Sequence, residues 1–163
     1  MLSKDKLKSV KLVAFDFDGV FTDNCVITNQ FGDESVKCWR SDGLGLARLK
    51  NVGVKILILS TETNVVVQKR SEKLDVPYIQ GVGDKSTVLQ DYCAKSGIEL
   101  ANTMFVGNDV NDIGALQIVG IPVGVADSYT EVLENVIFQT KRPGGYGAVR
   151  EVCDLIYFAK KST

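Results

Sequence analysis

Four short apolar runs, spaced by stretches of helical pattern, restrict the folds open to this chain more than any other feature. They are Leu12-Val13-Ala14-Phe15, Val54-Lys55-Ile56-Leu57-Ile58-Leu59, Thr103-Met104-Phe105-Val106 and Ile121-Pro122-Val123-Gly124-Val125. The second is almost continuously apolar, as expected of a strand covered on both faces. Val76-Pro77-Tyr78-Ile79 and Val136-Ile137-Phe138 add two shorter candidates at the sheet periphery. Strands alternating with helices predict βαβ units and a parallel sheet with helices on both faces.

The helices are expected in four places. Ser41 is placed as the N-cap of a segment through Lys50, with Leu44, Ala47 and Leu49 as its apolar side and Gly53 as its stop. Thr63 to Leu74 carries Val66, Val67 and Arg70, and Lys85 to Ser96 ends at Gly97. A C-terminal helix over about 146–160 carries Val149, Val152, Cys153 and Ile156 at helical spacing. One stretch breaks the rhythm. Asn24–Thr28 and Glu34–Trp39 flank Asn29-Gln30-Phe31-Gly32-Asp33, which predicts a β-hairpin over about 24–39, just after the first strand. Open α/β sheets bind ligands at strand ends, so this hairpin is expected to act as a flap beside the end of strand one.

Composition narrows the chemistry. At 163 residues the chain suits one domain, 1–163, and its 45% hydrophobic content is enough for a core. Nineteen Lys+Arg against twenty Asp+Glu leaves no bulk pull toward nucleic acid or an anionic membrane. There is no His, which excludes Ser-His-Asp and Cys-His mechanisms and His-ligated metal. Cys25, Cys38, Cys93 and Cys153 show no C-x-x-C spacing and read as isolated thiols in a reducing compartment. No apolar run reaches membrane-span length, and Met1–Lys6 leads into no signal-peptide core, so a soluble cytoplasmic protein is expected.

The chemistry must therefore rest on carboxylates, Lys, hydroxyls, thiols and backbone. Asp16-Phe17-Asp18-Gly19-Val20-Phe21-Thr22-Asp23 follows the first apolar run directly. Buried carboxylates need a cation or strong donors, and Gly19 allows a bend that turns Asp18 around the same cavity as Asp16. Ser60-Thr61 follows the second run with hydroxyls for an anion. Lys85 opens a helix, where cation and helix terminus both attract phosphate. Gly107-Asn108-Asp109-Val110-Asn111-Asp112 follows the third run with the hard oxygen ligands that Mg²⁺ prefers. Taken singly, Ser60 reads as a helix cap, Lys85 as a solvated charge and 108–112 as a turn. Their joint order after successive strands points instead to phosphoryl chemistry.

On these residues the chain resembles the haloacid dehalogenase superfamily, whose four motifs match Asp16/Asp18, Ser60, Lys85 and the 107–112 loop, over about Lys11 to Phe158. More narrowly it is similar to the capless phosphatases of phosphorylated 3-deoxy-2-keto sugar acids. Their marks here are the flap hairpin, Ser41-Asp42-Gly43-Leu44-Gly45 and Gly144–Glu151. A related module forms the C-terminal part of some CMP-sialic acid synthetases. The resemblance implies a Rossmann-like three-layer α/β fold with no large cap. It also implies an Asp16 nucleophile giving an aspartyl-phosphate, and Asp18 as proton donor and then base. Ser60 and Lys85 would hold phosphoryl oxygens. Mg²⁺ would sit on Asp16, the Asp18 carbonyl and the motif-four loop.

Two departures stand out. The family places Asp directly after the motif-four Gly where this chain has Asn108, a neutral ligand, and the sequence leaves open whether Asp109 or Asp112 compensates. Ser60-Thr61-Glu62 replaces the Thr-Gly-Arg typical of eight-carbon sugar-acid phosphatases; Glu62 with Lys73 is closer to relatives that handle nine-carbon acids. A first-turn acid complementing a helix dipole explains Glu62 equally well. Thr22, Thr61, Glu62 and Lys73 are thus the candidate substrate contacts. The resemblance also implies a homotetramer in which Gly144–Gly147 is a mobile closing loop. A weakly active or inactive oligomerisation module of the same fold is the alternative. A receiver-type signalling domain fits poorly, because it needs its phospho-accepting Asp after a later strand.

Overall fold

The computed structural model describes residues 2–162. The chain begins with helix α1 (Lys4–Ser9), capped by the Ser3 side chain, and enters strand β1 (Leu12–Phe15). The flap follows as two very short strands, β2 (Ile27–Thr28) and β3 (Glu34–Ser35), paired antiparallel. Helix α2 (Asp42–Asn51), strand β4 (Lys55–Leu59), helix α3 (Val65–Leu74) and strand β5 (Tyr78–Ile79) come next. The chain continues through α4 (Lys85–Ser96), β6 (Thr103–Gly107), α5 (Ile113–Ile118), β7 (Ile121–Gly124), α6 (Thr130–Leu133), β8 (Phe138–Gln139) and α7 (Ala148–Lys161).

Six strands form one sheet in the order β5-β4-β1-β6-β7-β8, and every pairing is parallel. The two shortest runs do lie at its edges. Alternation along each strand explains why the central runs are continuously apolar. Val13, Phe15, Ile56, Ile58, Met104 and Val106 join the core under α2, α3 and α7. Leu12, Ala14, Leu57, Leu59 and Phe105 join a second core under α4, α5 and α6. The result is a three-layer α/β fold of Rossmann-like type, in which the insertion after β1 is a hairpin rather than a cap domain. After β5 the chain returns to the other side of β1, so β1 is flanked by β4 and β6 at the point where the winding reverses, the place where open α/β sheets bind ligands beyond the C-terminal strand end.

Several expectations need correction. On α2 only Leu49 of the three expected core residues is buried; Leu44 is 64% exposed, and the inner face is Asp42, Gly45, Leu46 and Leu49. These positions share one side of a 3.6-residue period, whereas 44 and 47 fall on the next row around. Ser41 stands at the cap position but makes no side-chain cap bond. Asn64 caps α3, accepting from the Val66 amide at 3.1 Å, so that helix begins two residues later than expected. The Gly144–Gly147 loop, expected to be a mobile closing segment, is packed: Gly144, Gly145 and Gly147 are buried. A Cβ on Gly144 would overlap the Gly19 carbonyl, and one on Gly145 the Asp23 amide, so two stretches of backbone touch where only glycine fits. All four cysteines are free thiols. Among the described residues no helix is long and apolar enough to cross a membrane.

Candidate active site

The first residue past β1 extends the strand's register. The Asp16 amide donates to the Val106 carbonyl at 2.9 Å, so its side chain keeps the parity of Leu12 and Ala14 and meets the α4 layer. Lys85 stands there as the first residue of α4. The Asp84 cap, whose Oδ1 accepts from the Ser86 amide at 2.9 Å, fixes where the helix starts and so where Lys85 points. The Lys85 side chain is fully buried, and its Nζ donates to Asp16 Oδ1 at 2.6 Å and Asp112 Oδ1 at 2.7 Å. Burial opposes its charge, but Asp16 and Asp112 outweigh burial and hold it above the ordinary lysine range. Burial pushes Asp16 up to about 7, helped by Asp112 and opposed by Lys85.

The motif-four loop supplies the other half. Asp112 Oδ2 accepts from the Asn108 amide at 2.9 Å and the Asp109 amide at 3.3 Å, which holds Asn108 in place. Asn108 is set with its side-chain oxygen 2.9 Å from the Asp18 carbonyl oxygen and 3.2 Å from Asp16 Oδ2. Three oxygens thus converge with no proton between them. Either a cation sits among them, or the amide turns so that its NH₂ donates to both. The donor set of one carboxylate, one carbonyl and one amide oxygen is hard and suits Mg²⁺. Among the described residues no three His, Cys, Asp or Glu side chains gather for a metal, so a cation here would depend on carbonyl and amide oxygens as well. Gly19, at φ +81°, makes the site: a Cβ there would overlap the Asn108 amide.

The remaining expected residues separate into groups. Asp18 is partly buried, and its carboxyl is pushed upward by burial, then by Glu62, with Lys85 opposing and Glu34 adding to the rise. Ser60 is buried at the end of β4, beside β1, where its Oγ accepts from the Glu62 amide at 3.1 Å. Thr61 accepts from Asn111 Nδ2 at 3.2 Å and ties this loop to the motif-four loop. Glu62 accepts from the Thr63 and Asn64 amides at 2.6 and 2.8 Å, at the start of α3. Thr22 is buried, and its Oγ1 accepts from the Gly19 and Asn24 amides, so it staples the motif-one turn. Asp109 Oδ1 accepts from the Val110 amide at 2.7 Å, and Asp112 is tied to Lys85 and to the Asn108 and Asp109 amides. Lys73 does not join the site within this chain. It lies in the last turn of α3, about 12 Å along the helix from its first residue.

Two site residues were missed by sequence reasoning. Glu34 on the flap accepts from Asn64 Nδ2 at 2.9 Å, joining the hairpin to the start of α3. Asn64, immediately before the apolar-periodic Val65–Val67, carried a readable cap signal. Glu34 carried none, because its partner lies across the crevice.

A sequence profile of haloacid dehalogenase-like hydrolases matches residues 46–149. The chain belongs to the haloacid dehalogenase-like hydrolases. This hydrolase is 30% identical over 156 residues to 3-deoxy-D-manno-octulosonate 8-phosphate phosphatase from Escherichia coli, covering 95% of this chain and 83% of that one. Its fold superimposes with TM-score 0.92 and 35% identity on the Moraxella catarrhalis phosphatase of the same name, solved with magnesium, phosphate and KDO; the match covers 96% of this chain and 91% of that one. A cobalt-bound phosphatase from Haemophilus influenzae matches at TM-score 0.90 and 29% identity, covering 95% and 91%. The family placement makes the hydrolase a phosphoric monoester hydrolase of this sugar-acid phosphatase branch.

Proposed function

We propose that this protein is a Mg²⁺-dependent phosphatase acting on the phosphate monoester of a 3-deoxy-2-keto sugar acid of eight or nine carbons, with the nine-carbon class favoured by Glu62. The observation that carries the reading is the meeting of Asp16 with Lys85 on one side and the three-oxygen cluster on the other. Asp16 attacks phosphorus and forms an aspartyl-phosphate, dividing one difficult displacement into two. Lys85 neutralises charge on the nucleophile and, with Ser60, on the transferring oxygens. Asp18, whose carboxyl is raised by burial and by Glu62 and Glu34, gives its proton to the departing sugar oxygen. It then takes a proton from the water that cleaves the acyl phosphate. Bound Mg²⁺ would be held by Asp16 Oδ2, the Asp18 carbonyl and the Asn108 amide oxygen, and would supply positive charge between anionic nucleophile and anionic substrate.

The second reading, a non-catalytic oligomerisation module, is favoured by one observation. With its amide turned, Asn108 donates to both the Asp18 carbonyl and Asp16 Oδ2, closing the site without a cation. Phosphate release from a panel of eight- and nine-carbon keto-acid phosphates, with Mg²⁺ and with EDTA, separates the two. Turnover that needs Mg²⁺ and drops about 10⁴-fold in Asp16→Asn supports the phosphatase. No turnover at high Mg²⁺ supports the module, and an Asp16→Asn variant as active as the parent overturns the nucleophile assignment.

A further inference from the structure

We propose that Asp42 is a positioning residue of the active site: from α2 it holds the first turn of α7, and through α7 it fixes the loop that backs the Asp18–Asp23 segment. The inference rests on the reading of Asp18 as proton donor to the leaving group.

The links are short and each is geometric. Helix α7 begins after Gly147, which has φ +101° and no side chain, so its first turn has no cap of its own. Asp42 supplies one from another helix: its Oδ1 accepts from the Arg150 amide at 3.1 Å, satisfying a first-turn donor that the helix leaves open. A carboxylate also suits the positive end of a fourteen-residue helix. Just before that turn, Gly145 donates to the Val20 carbonyl at 3.1 Å, and Gly144 to Asp127 Oδ1 at 2.9 Å. Gly144 and Gly145 press so closely on Gly19, Thr22 and Asp23 that no Cβ fits between the two backbones. Gly19 in turn follows Asp18 and borders Asn108. A shift in the start of α7 is therefore passed by contact to the turn that aims Asp18.

Ordinary helix packing does not require this residue. Asp42 is fully buried on the inner face of α2, where apolar Leu46 and Leu49 also lie, and its Oδ2 has no partner among the described residues. Such an arrangement is unfavourable for an ionised carboxylate, so it lowers stability where an apolar residue would raise it. What it supplies is an acceptor at one point, the α7 terminus.

Leaving-group dependence tests the proposal, because a proton donor matters for a sugar oxygen and hardly at all for p-nitrophenolate. The parent and the variants Asp42→Ala, Asp42→Ser and Asp42→Asn are assayed with Mg²⁺, below their melting temperatures, on whichever ester of the eight- and nine-carbon keto-acid phosphate panel the parent turns over fastest and on p-nitrophenyl phosphate. In Asp42→Ala, and in Asp42→Ser should the alanine variant not fold, kcat on the sugar ester falls about tenfold or more, while the aryl ester changes less than about threefold. Asp42→Asn, which keeps an acceptor oxygen, restores the sugar-ester rate. Equal losses on both esters, or none on either, overturn the proposal, as does an asparagine variant no better than alanine. A parent inactive on both esters defeats the phosphatase reading instead, and is told apart because no variant is then needed to see it.

Discussion

The end of β1 and the flap that stands beside it are built on opposite principles. At the strand end Asp16, Lys85 and Asp112 are buried, held between the central strands β1 and β6 and the start of α4, and Lys85 bridges the two carboxylates. The flap has two strands of two residues each, too little ladder for a hairpin to stand alone. It is held by side chains instead: Asn64 to Glu34 at 2.9 Å, Lys37 to both Asp23 and Tyr146 at 2.7 Å, and one bridge between Thr22 and Cys38. Phe31 at its tip is 81% exposed, and Val26 and Ile27 are also exposed. The difference separates tasks. Buried charge sits on the sheet, and exposed apolar surface sits on a segment the core does not constrain.

The largest effect should come from removing the one cation in the buried cluster. Lys85→Met leaves Asp16 and Asp112 facing each other without compensation. It should cost about 3–5 kcal/mol in urea unfolding and abolish turnover. A stable, active Lys85→Met would mean that the strand-end cluster is less rigidly specified than the contrast requires. Next comes Gly19→Ala. It deletes no ligand, yet its Cβ occupies the place of the Asn108 amide, so the Mg²⁺ concentration for half-maximal activity should rise about 10- to 100-fold. Isothermal titration with Mn²⁺ checks this independently of turnover, and unchanged Mn²⁺ affinity would remove Asn108 from the cation site.

The third test sets the two regions side by side with one kind of substitution. Phe17 is wholly buried and stacks on Phe21 with ring centroids 5.9 Å apart, so Phe17→Ala should cost about 3–5 kcal/mol. Phe31→Ala should stay within about 0.5 kcal/mol for the isolated chain. A loss at Phe31 that is absent in dilute solution and grows as protein concentration rises would show that a second copy covers the flap.

The same division explains what could be read from the residues alone. The central strands were legible because burial on both faces erases alternation and leaves runs such as Lys55–Leu59. Asp16 and Asn108 were legible because each follows directly on such a strand, and Lys85 because it opens a helix, so one-dimensional order gives three-dimensional proximity. What failed depends on contacts remote in sequence. The face of α2 is chosen by packing on α7, about a hundred residues later, which turns Asp42 inward and Leu44 outward. The glycine-rich loop looked mobile because glycine marks both freedom and close approach, and only the backbone of Gly19–Asp23 decides between them. The short helices α5 and α6 carried too few turns to show a period. Lys73 was grouped with Glu62 by kinship rather than by place, and α3 keeps them at opposite ends.

The last test concerns the buried carboxylate away from the strand end. Burial raises the Asp42 carboxyl from 3.8 to about 7; the Arg150 amide, and the charges of Arg70 and Arg150, oppose that rise without cancelling it. A carboxyl raised in the folded state binds its proton more tightly there than in the unfolded chain. The stability it confers is complete below pH 3.8 and is lost as pH climbs through about 7. Asp42→Asn keeps the acceptor oxygen but never ionises, so its melting temperature should rise relative to the parent across that interval and level off above it. For a chain of this size each kcal/mol corresponds to about 2–4 °C. Melting curves at about pH 4, 6 and 8 give the profile. A difference that is flat with pH would place the Asp42 carboxyl in its ordinary range. A difference of opposite sign would mean that the charge stabilises the first turn of α7 more than burial opposes it, and that the α2–α7 contact belongs with the fully paired cluster at the strand end.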